Sequence, residues 1–240
     1  MLSLTVLSAC GGGTEVSGDT TEETTSQAAV TASASAEDEK PQASVEPRTS
    51  VEPQASAKAL SDAQLQSAVL VDADLSEFQM SEEMAGMPAP EGAAKRISPA
   101  ECQPLLNIAV GKLEPRAKAF RYSVAVGSSA SGQSGDQIGV EIKLFALDQA
   151  GAEHVLAELR TAAKDCAGYE NGGHQAVAAA DAPDAGDEAV AYKTSAAGSI
   201  PIWTTVVRSG ATVVAFGHYT AELPDEVLSA QISKVEAVAG

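Results

Sequence analysis

Between Gly11 and about Ala57 the chain shows no hydrophobic period, and from Leu60 onward apolar residues recur at the spacings of helices and strands. Ser61-Asp62-Ala63-Gln64 reads as a capping box. It opens a short helix through Leu65, Ala68 and Val69. After Asp72-Ala73-Asp74-Leu75, a Met/Pro-rich loop runs from Met80 to about Lys95. Ser98-Pro99-Ala100-Glu101 starts a second helix, with Ser as N-cap, Pro in the first turn and Glu at the third position. Cys102 falls in that first turn. Pro104 should kink or restart the helix, because proline has no N–H to donate and its ring crowds the preceding turn.

Phe120, Tyr122, Val124 and Val126 alternate with smaller or polar residues, predicting a half-buried strand. The Gly/Ser stretch 127–135 is a long hairpin loop, and Ile138, Val140, Ile142 and Leu144 form the returning strand. Val155, Leu156, Leu159, Ala162, Ala163 and Cys166 share one helical face. Cys166 is therefore in phase with the buried stripe. Weaker strands are predicted over His174–Ala180 and Ala189–Thr194, and stronger ones over Ile202–Arg208 and Ala211–Tyr219. Ser209-Gly210 between the last two signals a tight hairpin. Closing it with Arg208 opposite Ala211 places Trp203 across from Phe216 and Val206 across from Val213. A final helix starts at Pro224, with Asp225 and Glu226 in its first turn and a stripe of Leu228, Ile232 and Val235. The sum is an α+β domain, with about six antiparallel strands and about four flanking helices.

Charge narrows the partners. Fifteen basic and 33 acidic residues give a net charge of −18. That argues against nucleic acid and anionic membrane surfaces as direct partners, which need a cationic footprint. Aromatics make up only 4% of the chain, so the core must be built from Val, Leu, Ile and Ala. No stretch approaches the roughly 20 apolar residues of a membrane span.

Leu7-Ser8-Ala9-Cys10 followed by Gly11 resembles a bacterial lipobox, in which the cysteine is acylated and becomes the mature N-terminus. Met1 to Val6 supplies only the tail of an apolar export segment, and no Lys or Arg precedes Cys10. A start codon placed too far downstream accounts for both features. The alternative is a chance match in a cytosolic protein. Residues 11–57, with nine acidic and two basic residues, cannot bury enough apolar surface to offset their ordering entropy. They are expected to be a disordered tether of roughly 40 Å root-mean-square span. The domain plan is thus 1–10 signal remnant, 11–57 acidic tether, 58–240 folded domain. Lipidation also resolves the count of three cysteines, leaving Cys102 and Cys166 to pair. Their disulfide would close a loop of about 65 residues, contributing roughly 4 kcal/mol on the chain-entropy model. The alternative is two reduced, buried thiols.

Chemistry-bearing motifs are sparse. His154, His174 and His218 are not brought together by any spacing. No GxSxG elbow, no Ser-x-x-Lys and no HExxH occurs. The 127–135 loop lacks the Lys and helix start of a phosphate site. Asp181, Asp184, Asp187 and Glu188 read either as a hard-cation site or as a solvated acidic loop, and their spacing is not that of an EF-hand. Met80, Met84 and Met87 either line an adaptable apolar pocket or seal the core. They are candidate ligand contacts with Trp203 and Phe216. No metal, cofactor or catalytic residue is expected.

Ala59-Leu60-Ser61-Asp62-Ala63-Gln64-Leu65 and Val69-Leu70-Val71-Asp72-Ala73-Asp74-Leu75 are similar to the opening of many actinobacterial surface lipoproteins. Ser98-Pro99-Ala100-Glu101-Cys102, Asp165-Cys166, Gly186-Asp187-Glu188-Ala189 and Val206-Val207-Arg208-Ser209-Gly210 continue the likeness. Over about residues 59–239 the chain resembles the PknH-like extracellular sensor-domain family. The resemblance implies a disulfide-stabilised antiparallel sheet with flanking helices and a cleft for an unidentified ligand. It also implies a second disulfide, for which this chain has no cysteines left. The function expected is a lipid-anchored, non-catalytic domain on the extracellular face of the cell membrane, binding a small ligand or an envelope partner. A cell-wall-active hydrolase and a structural envelope protein are the alternatives.

Overall fold

The computed structural model describes residues 57–82, 92, 94–128 and 137–240. Cys10, the 11–56 part of the expected tether, Met84, Met87 and most of the 127–135 loop lie outside the described residues.

Helix α1 (Asp62–Ser67) opens on the predicted capping box. The Ser61 hydroxyl accepts from the Gln64 N–H, and the Gln64 side chain accepts from the Ser61 N–H at 3.0 Å. Strand β1 (Phe78–Met80) follows a 3-10 turn at Asp72–Asp74. The second helix is broken as Pro104 requires: Ala100–Cys102 is a 3-10 turn and α2 restarts as Gln103–Ala109, with the proline in its first turn. Strands β2 (Ala119–Ser128) and β3 (Gln137–Ala146) make the first long hairpin. Helix α3 (Gln149–Asp165) is N-capped by Asp148, which accepts from the Gly151 N–H at 2.8 Å. Strands β4 (Gly168–Glu170), β5 (His174–Ala180), β6 (Glu188–Ala196), β7 (Ile202–Ser209) and β8 (Thr212–His218) lead to the closing helix α4 (Asp225–Ala239).

The sheet has eight antiparallel strands in the order β1-β2-β3-β8-β7-β6-β5-β4. Two of them, β1 and β4, exceed the predicted number. Each is a three-residue edge strand, too short to show a period, and each exists because a longer neighbour offers it a free row of backbone groups. Among the described strands the one pairing that departs from sequence order is β3 with β8, which lies between β3 and β7.

Helices cover both faces. On one, α2 and α3 pack over Phe120, Phe145, Val190, Tyr192, Val206 and Val213. Cys102 and Cys166 are bonded there, joining the start of α2 to the end of α3. On the other, α1 and α4 pack over Val140, Ile142, Leu144, Val207, Val214 and Phe216. The buried Gln231 amide of α4 donates to the Ala68 carbonyl at 2.7 Å, tying these two helices together.

Two local expectations are corrected. In β2 the residues with the deepest burial are Ser123 and Ala125, both fully buried, whereas Tyr122, Val124 and Val126 are half-buried. Phe78 of β1 and the α1 helix share the face of Ser123 and Ala125, so the side with small residues is the covered one. In the last hairpin Ser209 pairs with Thr212, so the turn is Gly210-Ala211. The first loop position of a primed turn needs positive φ, and Gly210 supplies it at +57°. Trp203 therefore pairs with His218, Thr205 with Phe216, Val206 with Ala215 and Arg208 with Val213. A shift of two keeps every side chain on its face, so Trp203 and Phe216 become diagonal neighbours.

Candidate functional site

A cleft of about 770 Å³ opens on the α1/α4 face. Its floor comes from adjacent strands: Ala180 of β5, Ala191 of β6, Trp203 and Thr205 of β7, and His218 of β8. One rim is Asp181-Ala182-Pro183, leaving β5. The other is the segment Thr220–Asp225 with Leu228 of α4. The floor is open because α4 begins only at Asp225, so its stripe covers Val207, Val214 and Phe216 and stops short of the His218 end of β8.

His218 is the buried titratable group of this floor, 2% exposed, beside the buried Thr205. Its Nδ1 lies 2.8 Å from the Thr220 carbonyl oxygen, a partner that can only accept. The ring therefore carries its proton on Nδ1 and donates it there. Nε2 is left as a lone-pair acceptor, buried and without a protein partner among the described residues. Desolvation lowers the imidazole pKa below its usual 6.5, keeping the ring neutral; the Thr220 bond acts in the opposite sense. Beside His218 stands Trp203, half-buried, with the Lys193 ammonium 5.2 Å from its ring centre.

Three carboxylates line the same cleft: Asp181, Glu222 and Asp225, all exposed. No Lys or Arg lines it among the described residues. The other acids of the 181–188 run go elsewhere. Asp187 Oδ2 accepts from Arg208 at 2.8 Å and from the Gly210 N–H at 2.7 Å. Glu188 is paired with Arg160 of α3 and, at 3.5 Å, with Arg208. Asp184 is exposed and outside the cleft. The run is thus divided among an ion-pair network under α3, one residue of the cleft and the exposed Asp184. No cluster of three His, Cys, Asp or Glu fit to hold a metal occurs among the described residues.

His154 is exposed on α3 beside Glu158, and His174 is exposed opposite Glu170 on the β4–β5 edge, so neither joins His218. Met80 is half-buried in β1 against the α1/α4 core, away from the cleft. Phe216 is fully buried beneath α4 and does not line the cleft. Of the three candidates among the described residues, Met80, Trp203 and Phe216, only Trp203 lines the cleft. The sequence shows His218 only as one of three histidines that no spacing brings together, Asp225 only as a first-turn helix residue, and gives Glu222 no role. The available signal was strand parity, because with the register above His218 and Trp203 are cross-strand partners on one face.

No helix among the described residues is long and apolar enough to cross a membrane. No protein-family model matches the chain, and no curated protein matches it. Among solved structures, the extracellular domain of PknH from Mycobacterium tuberculosis matches over 76% of this chain and 98% of that one, with a TM-score of 0.50 and 10% identity. An uncharacterised protein from Mycobacterium smegmatis, an Rv0999 ortholog, matches over 74% of this chain and 95% of that one, with a TM-score of 0.36 and 15% identity. The first of these likenesses carries the conclusion: the described domain has the fold of the PknH extracellular domain, an antiparallel sheet with flanking helices, here locked by Cys102–Cys166.

Proposed function

We propose that this chain is a cell-surface lipoprotein. In this reading it is acylated at Cys10 and held to the extracellular face of the cell membrane through residues 11–57. Residues 58–240 form a non-catalytic, sensor-like domain that binds a small ligand or an envelope partner. The observation that carries the binding role is the cleft floored by Trp203 and His218, since small-molecule sites are concave and mostly apolar, with few placed polar groups.

The nucleophile that general-base chemistry would need is not found beside His218. A base that activates a nucleophile is oriented by a third group and reaches a hydroxyl or thiol. The Thr220 carbonyl orients the ring through Nδ1, but among the described residues no hydroxyl or thiol is bonded to Nε2. The Thr220 hydroxyl in the cleft already donates to the Glu222 carbonyl at 2.8 Å. The anchor is supported by Leu7-Ser8-Ala9-Cys10, and an oxidising compartment by the disulfide.

Native mass spectrometry of the full chain, purified without reductant from an actinobacterial host, tests the binding role. A reproducible extra mass is expected, retained by wild type and lost on Trp203→Ala. A bare polypeptide would move the proposal to a protein or cell-wall partner. Metabolic labelling with a fatty-acid analogue tests the anchor, because label that survives Cys10→Ala would sink it.

A further inference from the structure

The geometry points to a small organic cation, an alkylammonium with a short hydrocarbon body, as the occupant of the cleft floored by Trp203 and His218. This rests on the ligand-binding reading above and specifies its chemistry. Four groups of the cleft are acceptors without a protein partner among the described residues: His218 Nε2 and the carboxylates of Asp181, Glu222 and Asp225. His218 is the decisive one. An exposed carboxylate is satisfied by water, but His218 lines the cleft with a buried nitrogen whose lone pair has no partner among the described residues, and a donor brought by an occupant would relieve its desolvation penalty. The occupant therefore brings N–H or O–H groups.

Charge selects between those donors. Among the described residues the lining holds three carboxylates and no Lys or Arg. Lys193, set against the Trp203 ring, offsets one of the three carboxylates and leaves the cleft with net negative charge. A concave, like-charged surface focuses its potential and concentrates counter-ions, so an ammonium is favoured over a neutral alcohol and an anion is repelled. The apolar part of the wall, from Ile138, Ala180, Ala191, Leu223 and Leu228, suits a hydrocarbon body. Trp203 adds aromatic surface to that wall, its ring already holding the Lys193 ammonium.

The chain has one Trp, so its fluorescence reports the cleft directly. Titrating the full chain with hexylammonium, hexanol and hexanoate at equal ionic strength compares three charges on one hydrocarbon. Hexylammonium is expected to give a saturable change, with hexanol at least tenfold weaker and hexanoate silent. The His218 Nε2 nitrogen resonance should move with hexylammonium, as its lone pair gains a donor. Asp181→Asn with Glu222→Gln, both at exposed positions, should weaken hexylammonium about tenfold or more, whereas Asp184→Asn, outside the cleft, should leave it unchanged. Equal binding of hexanol, tighter binding of hexanoate, or equal loss with Asp184→Asn overturns the cation assignment and leaves a ligand cleft standing. Silence from all three probes overturns the assignment. Silence together with a cargo-free native mass overturns the ligand-binding reading as well.

Discussion

The two faces of the sheet are finished in different ways. On one, α2 and α3 lie over the core and a covalent bond between Cys102 and Cys166 ties the two helices together. On the other, α1 and α4 are tied by the Gln231–Ala68 hydrogen bond, and α4 starts too late to cover the His218 end. That same end carries, on the disulfide face, the Glu141–Lys143 ion pair at 2.8 Å with Lys143 5.6 Å from the Tyr122 ring centre. Polar side chains there pair with one another. Across the sheet, the carboxylates of Asp181, Glu222 and Asp225 have no such partners among the described residues. Each face keeps a buried polar atom without a hydrogen-bond partner among the described residues, Arg208 Nε under α3 and His218 Nε2 across the sheet. Only the second belongs to a residue on the floor of the cleft, which is why the proposed binding role is placed there.

The largest test of this contrast is the disulfide. Cys102→Ala with Cys166→Ala is expected to lower the unfolding free energy by roughly 4 kcal/mol, read by denaturant titration. Hexylammonium binding by the folded fraction should survive, because the bond lies on the opposite face. Next comes Gly186, in the turn that sends Asp181 to the cleft and Asp187 to Arg208. Its φ is +60°, and a Cβ would come within 2.4 Å of the Arg208 carbonyl oxygen. Gly186→Ala should cost about 2–3 kcal/mol and disturb both faces. Gly198→Ala, at φ +74° with nothing within 4 Å, should cost about 1 kcal/mol.

His218 gives a smaller, pH-dependent effect. Its folded pKa lies below 6.5, so the unfolded chain binds more protons between the two values. Stability should therefore fall as pH drops below 6.5, by at most about 1.4 kcal/mol per unit. His218→Gln should flatten this window when unfolding is followed against pH. Asp62, held low first by its hydrogen bond to Arg121, and Glu226, held low by the Ser76 N–H and hydroxyl, act later. Their stabilisation is present above the ordinary carboxylate values and is lost only as pH falls through their lower folded ones. The smallest effect is spectroscopic. The Tyr122 phenol, pushed up to about 12 by burial and then by Glu141, should ionise late in an alkaline ultraviolet titration. Glu141→Gln should bring that titration down without touching the cleft.

The α1 capping box, the Pro104 restart and the α3 stripe ending at Cys166 could be read from the chain because each depends on residues within a few positions of one another. The existence of the β7–β8 hairpin was equally local. Its register was not, since Ser209-Gly210 and Gly210-Ala211 both fit a two-residue turn, and only the positive φ of Gly210 at the first loop position separates them. The split of the 181–188 acids depended on Arg160 and Arg208, which lie some twenty residues or more away from the acids they meet.

What the sequence alone determined was the inventory of helices and long strands, the cysteines available to pair and the acidic charge. Periodicity and capping are short-range, and composition needs no fold. Tertiary structure decided that β8 lies between β3 and β7, that β1 and β4 exist, and that His218, Trp203, Asp181 and Glu222 share one cleft. Those outcomes follow from hydrogen-bonded pairing between strands far apart in the chain and from where α4 begins. No local pattern encodes them.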